Sequence, residues 1–172
     1  AKWGGLLQHD GLVAAHELGL HEGSYFVCME YVAGQTLRAL MDQRRMAPEA
    51  AVFFVSRLAL ILDYVHNYAQ PGAASVGLVH RDVSPSNVIV SSTAQVKLVD
   101  FGIAKATALR SSTQGNLLKG TYSYMSPEQN EGAALSAQSD LFSLGSLFYE
   151  LLTGKPAFDG DSVHSTMEAV VR

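Results

Sequence analysis

Cysteine is almost absent from this chain. Cys28 stands alone among 172 residues, which excludes an internal disulfide framework and makes a reducing compartment the simple expectation. Long apolar runs are missing as well. The longest, Ala50 to Val65, is interrupted by Arg57 and Asp63. It falls short of the ~20 residues that a membrane-spanning helix needs, so it reads as a core helix. Positive charge is not in excess: 12 Lys and Arg face 16 Asp and Glu, a net charge of −4. Nothing there suggests a nucleic-acid partner. No low-complexity tract, internal repeat or signal-peptide pattern stands out. What remains is a globular composition, 48% hydrophobic and 16% charged, long enough for one domain with a core.

The most informative stretch is 79–102, Val-His-Arg-Asp-Val-Ser-Pro-Ser-Asn-Val-Ile-Val-Ser-Ser-Thr-Ala-Gln-Val-Lys-Leu-Val-Asp-Phe-Gly. Val88–Val90 and Val96–Val99 read as two short strands, with Ser91–Ala94 as the turn between them. A tight hairpin brings its outer ends together, so Asn87 and Asp100 are expected side by side, with Asp82 one loop away. Oxygen ligands on neighbouring strand ends, leaving positions for water and phosphate, suit Mg²⁺ on a nucleotide.

His80-Arg81-Asp82 with Asn87, followed by Asp100-Phe101-Gly102, resembles the catalytic-loop and metal-loop pair of the eukaryotic-type (Hanks-type) protein kinases. Gly120-Thr121-Tyr122-Ser123-Tyr124-Met125-Ser126-Pro127-Glu128 resembles that family's substrate-facing segment, with Ser126 in the usual Ala place. Ser139-Asp140-Leu141-Phe142-Ser143-Leu144-Gly145 resembles the start of its central large-lobe helix. A lone His-Arg-Asp occurs by chance; four motifs in family order do not. The resemblance covers almost the whole chain and implies a bacterial Ser/Thr protein kinase. The implied fold is α+β: a two-lobed protein kinase fold, incomplete, with a small-lobe remnant in 1–31 and the hinge and large lobe in 32–172.

Residues 1–31 begin with Leu7–Val13, similar to the loop after the family's regulatory helix. Val13–Leu20 and Ser24–Tyr31 then read as antiparallel strands joined by His21-Glu22-Gly23. Tyr25–Met29 is apolar on both faces, as a buried strand is expected to be. His9, His16, His21 and Cys28 fit no tight zinc pattern. Gln35–Arg45 reads as a short helix with Thr36 as N-cap. Pro48 starts a longer helix, whose Phe54, Leu58, Ile61, Leu62 and Val65 form one apolar face. His66 ends that face and reads as a packed core histidine. Tyr68–Gly77 reads as a surface loop of unreadable role.

The resemblance implies a role for each site residue. Asp82 orients the substrate hydroxyl and accepts its proton, while Asn87 and Asp100 hold Mg²⁺ against ATP. The Glu30 carbonyl and Val32 amide meet the adenine edge, Met29 guards the pocket behind it, and Ile89 forms the floor. His80 is a structural residue rather than a general base, together with Phe101, and Gly102 lets the backbone turn. Asp140 is expected to be buried and bonded to catalytic-loop amides. Ile103–Lys119 is the expected activation segment. Arg81 is hypothesised to bind a phosphate on Ser111, Ser112 or Thr113; unchanged activity after alanine replacement of all three would count against this.

Two departures from the pattern stand out. Ser84 sits where Ser/Thr kinases carry a Lys, and Ser86 where tyrosine kinases carry an Arg, so one cationic contribution to the transition state is missing. Thr121 still favours Ser/Thr acceptors. The Gly-x-Gly-x-x-Gly loop, strand Lys and helix Glu of the family are expected upstream, and the Arg that pairs with Glu128 downstream. The chain is therefore expected to be an internal piece of a catalytic domain, with negligible activity and marginal stability alone. The expected partners are ATP and a protein substrate, in the cytoplasm, with no nucleic acid. The alternatives are a scaffold module without turnover, which Ser84 favours, and a small-molecule phosphotransferase.

Overall fold

The first structural element is a ribbon. Ala15–His21 (β1) and Ser24–Met29 (β2) pair antiparallel, turning through Glu22 and Gly23, both at positive φ. The computed structural model describes residues 7–69, 77–99 and 122–172 of the chain. The ribbon corrects the expectation of a buried strand: Tyr25 is 77%, Phe26 48% and Val27 49% exposed. Among the described residues the ribbon has two strands and no third, so a continuous apolar pattern has nothing to bury itself against.

After the ribbon the chain enters Gly34–Thr36 (β3), which bonds to Val88–Ser91 (β4), itself paired with Val96–Leu98 (β5) in a three-stranded antiparallel sheet. Gly34 is required at its place. A Cβ there would lie 2.2 Å from the Val90 carbonyl oxygen, a contact no side chain can make. Gln35, read from sequence as helical, is a strand residue. The helix begins later, at Leu37–Gln43 (α1), with the Thr36 hydroxyl accepting from the Ala39 amide. Strand pairing with Ile89 and Val90 holds residues 35 and 36 extended until the cap.

Pro48–His66 (α2) has Pro at its first turn, where the missing N–H costs no helical bond. Its buried residues are Ala51, Phe54, Leu58, Ile61, Leu62 and Val65, the face that three- and four-residue spacing lays down. That face packs on the central helix Ala137–Thr153 (α4). Pro127–Glu131 (α3) precedes it and Val163–Val171 (α5) follows. Leu58, Leu62, Leu147 and Leu151 are each at most 1% exposed, and each contributes roughly 1.5–3 kcal/mol relative to an exposed leucine. The helix ends at Gly154, whose φ of 72° suits a residue without Cβ.

The segment 9–14 connects the ribbon to the sheet. The Leu98 amide donates to the Gly11 carbonyl, and the Val13 amide donates to the Leu98 carbonyl. The resulting parallel bridge between Leu12 and Leu98 ties β5 to the strand that leads into β1. No helix among the described residues is long and apolar enough to cross a membrane.

Candidate active site

Val83 and Pro85 are buried, and they plug the loop 80–87 into the core so that its polar residues are presented at fixed positions. Pro85–Asn87 forms one 3-10 turn, in which the Asn87 amide donates to the Ser84 carbonyl at 3.0 Å. β4 starts at the next residue. The loop is therefore short and fixed at both ends.

Asp140, in the first turn of α4, organises this loop from below. It is 1% exposed. Its Oδ2 accepts from the His80 amide at 2.8 Å, and its Oδ1 from the Arg81 amide at 2.8 Å. The His66 Nε2 completes the set, 2.7 Å from Oδ2. A buried carboxylate is tolerable only when its lone pairs are filled this way. His66 is thus more than a core packer: it closes the carboxylate's hydrogen-bond set. Directing two successive amides at one carboxylate forces the backbone, and Arg81 sits at φ 73°, a left-handed conformation that costs a non-glycine residue about 1–2 kcal/mol. Its carbonyl is held as well, accepting from Gln129 Nε2 at 2.8 Å. The Arg81 side chain remains exposed.

Asp82 and Asn87 are brought together. The Asn87 side-chain amide donates to the Asp82 carboxylate Oδ2 at 2.5 Å and to its carbonyl at 2.9 Å. Asp82 is 7% exposed, and its own amide donates to His80 Nδ1 at 3.3 Å. His80 therefore serves the backbone through Nδ1 and is fully buried. Committing the Asn87 nitrogen to Asp82 leaves the amide oxygen without a partner among the described residues. A carbonyl oxygen of that kind suits Mg²⁺. Across the hairpin, the Val99 amide donates to the Asn87 carbonyl at 2.8 Å, so β5 delivers the chain beside Asn87 one residue before Asp100. Asp100, Phe101, Gly102, Ser111, Ser112, Thr113 and Thr121 lie outside the described residues.

Residues 30–33 follow β2. The Glu30 amide donates to the Ala14 carbonyl at 2.9 Å, and the Ala33 carbonyl accepts from the Ser92 amide at 3.0 Å. Between these ties, the Glu30 carbonyl and the Val32 amide make no main-chain bond among the described residues. Glu30's side chain turns away to Lys97 of β5, whose ammonium also reaches the Leu12 carbonyl. Met29 and Ile89 are half-buried, and Ile89 pairs with Thr36 of β3. Ser84 is buried and brings no cation to the loop. Glu128 accepts from the Ser139 hydroxyl at 2.5 Å. That bond holds its carboxyl below the usual range, against a smaller opposing effect of burial. Among the described residues no group of three or more His, Cys, Asp or Glu is placed to hold a metal.

Sequence reasoning missed three side-chain links: His66 to Asp140, Lys97 to Glu30, and a cluster of Arg38, Tyr124 and Glu150. The last had a signal. Glu150 is a lone acid on an otherwise apolar helix stretch, and a buried acid requires a partner.

Comparison with known proteins places these features in a class. The protein kinase domain profile matches residues 3–172. The chain is 40% identical over 172 residues to the serine/threonine-protein kinase PknB of Mycobacterium leprae, covering 96% of this chain and 26% of that protein. It is 38% identical over 157 residues to a probable serine/threonine-protein kinase PknB of Lactococcus lactis, covering 91% and 24%. It is also 37% identical over 171 residues to the tyrosine-protein kinase MasK of Myxococcus xanthus, covering 96% and 26%. The chain belongs to the protein kinase domain family. Its fold is α+β, an incomplete protein kinase fold, and it spans about a quarter of the length of the curated relatives it matches.

Proposed function

We propose that the protein carrying this chain is a bacterial protein serine/threonine kinase that transfers the γ-phosphate of ATP to a protein hydroxyl. The observation that carries the reading is the Asp82–Asn87 pair on a loop fixed by Asp140. Phosphoryl transfer asks mainly for positioning and charge neutralisation, and a doubly anchored loop with one carboxylate at its centre supplies the first. Asp82 receives the proton of the acceptor hydroxyl as its oxygen bonds to the γ-phosphorus; the bond to the bridging oxygen breaks and ADP leaves. Asn87, through its amide oxygen, and Asp100 would hold Mg²⁺, which neutralises phosphate charge when bound. The open Glu30 carbonyl and Val32 amide receive the adenine edge, with Met29 behind it and Ile89 beneath. Residues 1–31 and 32–172 are the two lobes' contributions, and the catalytic domain works in the cytoplasm.

Arg81, its backbone fixed and its side chain exposed, binds phosphate on Ser111, Ser112 or Thr113. Phe101 and Gly102 support the metal loop, and Thr121 selects aliphatic hydroxyls. The acceptor is where a second reading has support, since one relative is named a tyrosine-protein kinase. Incubating the full-length protein with Mg²⁺ and ATP and matched Ser, Thr and Tyr peptides, with an aminoglycoside as control, decides between them. Labelled Ser or Thr supports the proposal. Tyr alone, or the aminoglycoside alone, overturns it.

A further inference from the structure

Arg38, Tyr124 and Glu150, far apart in sequence, meet at one site in which Tyr124 and Glu150 are buried and Arg38 is partly buried. The Arg38 guanidinium leaves the first turn of α1 and reaches Glu150 of α4. Its Nη1 is 3.0 Å from Oε1, and its Nη2 is 3.3 Å from Oε2 and 2.5 Å from the Tyr124 hydroxyl. Tyr124 in turn donates to Glu150 Oε2. The Glu150 side chain is 6% exposed, and Tyr124 is 5% exposed. Burial opposes charge on Arg38, but the Glu150 hydrogen bond and the charges around it more than offset this and hold it protonated. Burial, then the bond to Glu150, pushes the Tyr124 phenol up and keeps its proton.

Tyr124 lies in the Gly120–Glu128 stretch. Side chains of its described part and of the residue after it tie it to the rest of the fold: the Tyr124 hydroxyl bonds to the cluster, Glu128 accepts from the Ser139 hydroxyl, and Gln129, just beyond the stretch, donates to the Arg81 carbonyl. Ser123, just before Tyr124, and Met125 and Ser126, just after it, are buried. The cluster's geometry depends on a planar fork. One guanidinium can satisfy a carboxylate and a phenol together, whereas an ammonium is a single point charge.

Resting on the kinase reading, we propose that Arg38 is a positioning residue for the protein substrate: through Glu150 and Tyr124 it holds the substrate-facing stretch at the height of Asp82. It touches neither ATP nor the transferred phosphate. Without it, Glu150 keeps a buried carboxylate with one neutral donor, and the segment shifts or hydrates to relieve it.

The test uses the full-length protein in wild-type, Arg38→Met, Arg38→Lys and Tyr124→Phe forms, with amide hydrogen exchange and steady-state kinetics for peptide and ATP. The expected result for Arg38→Met is faster exchange across 122–131 with exchange across 82–91 unchanged. Peptide kcat/KM falls roughly tenfold or more, as loss of a charged buried hydrogen bond implies, while KM for ATP stays within about twofold. Arg38→Lys falls between the two. Tyr124→Phe, which removes one hydroxyl and keeps the ring's packing, shifts the same readouts by less and serves if Arg38→Met does not fold. Unchanged exchange across 122–131, or peptide and ATP parameters that worsen together, overturns the proposal. A wild-type protein that transfers no phosphate would count against the kinase reading instead, and the exchange comparison would still decide whether Arg38 holds the segment.

Discussion

Replacing Asp140 by Asn changes one atom's chemistry at the centre of the support beneath the loop 80–87. Three groups donate to the carboxylate or share a proton with it: the amides of His80 and Arg81, and His66 Nε2. Hydrogen bonds to a charged group contribute about 1.5–3 kcal/mol each, but they share one acceptor and do not add. An Asn side chain keeps one oxygen and turns an NH2 group toward a donor, so at least one buried amide loses its partner. Disrupting a buried charged network costs about 3–5 kcal/mol. Arg81 recovers part of this, because its left-handed backbone is strained by about 1–2 kcal/mol and relaxes once released. The net loss is then about 3 kcal/mol, or two powers of ten in local opening. Amide exchange of the full-length protein measures this directly. His80 and Arg81 should exchange about a hundredfold faster, and the melting temperature should fall by about 6–12 °C on the scale of a domain this size. Equal protection of both amides in Asp140→Asn would refute the reasoning, because it would mean that the loop is held by its own turn and not from α4.

Other perturbations test neighbouring features. Gly34→Ala places a Cβ against the Val90 carbonyl and should destabilise by about 1–3 kcal/mol, read as a lower denaturation midpoint with an unchanged slope. Tyr124 is held neutral in the fold, above its ordinary value of 10.0. The unfolded chain therefore ionises first, and stability present below pH 10 is lost as pH rises beyond it; Tyr124→Phe should flatten that alkaline limb in pH-dependent melts. Glu128 is held below its ordinary value of 4.5 by Ser139. Its contribution is present above that pH and is lost as pH falls through the lowered folded value, so Ser139→Ala should shrink the acid-side loss.

The parts of this protein that sequence made legible are those governed by short-range rules. Pro48 and the three- and four-residue spacing of Phe54, Leu58, Ile61 and Leu62 set α2, Thr36 set the cap of α1, and Ser91–Ala94 set the hairpin between β4 and β5. The bonds of Asp140 to the His80 and Arg81 amides were legible through family resemblance, since nothing local in Ser-Asp-Leu-Phe says what the carboxylate bonds to. What stayed hidden depends on tertiary neighbours. Periodicity reports that Tyr25–Met29 is apolar, not whether anything covers it. Gln35 carries no strand signal of its own and is extended because β4 lies beside it. Arg38 and Glu150 are separated by 112 positions, a distance over which no sequence pattern connects a charge to its partner.

Phosphate transfer by full-length Asp82→Asn tests the assignment of Asp82 directly. The side chain keeps its size and can still bond to Asn87, so the fold and ATP binding should persist. It cannot take the acceptor's proton. Asp82→Asn should retain binding of ATP with Mg²⁺, and its peptide phosphorylation should fall by roughly 10²-fold or more. Transfer at the wild-type rate would contradict the assignment of Asp82, and a wild-type protein that binds ATP without transferring phosphate would place the chain among scaffold modules.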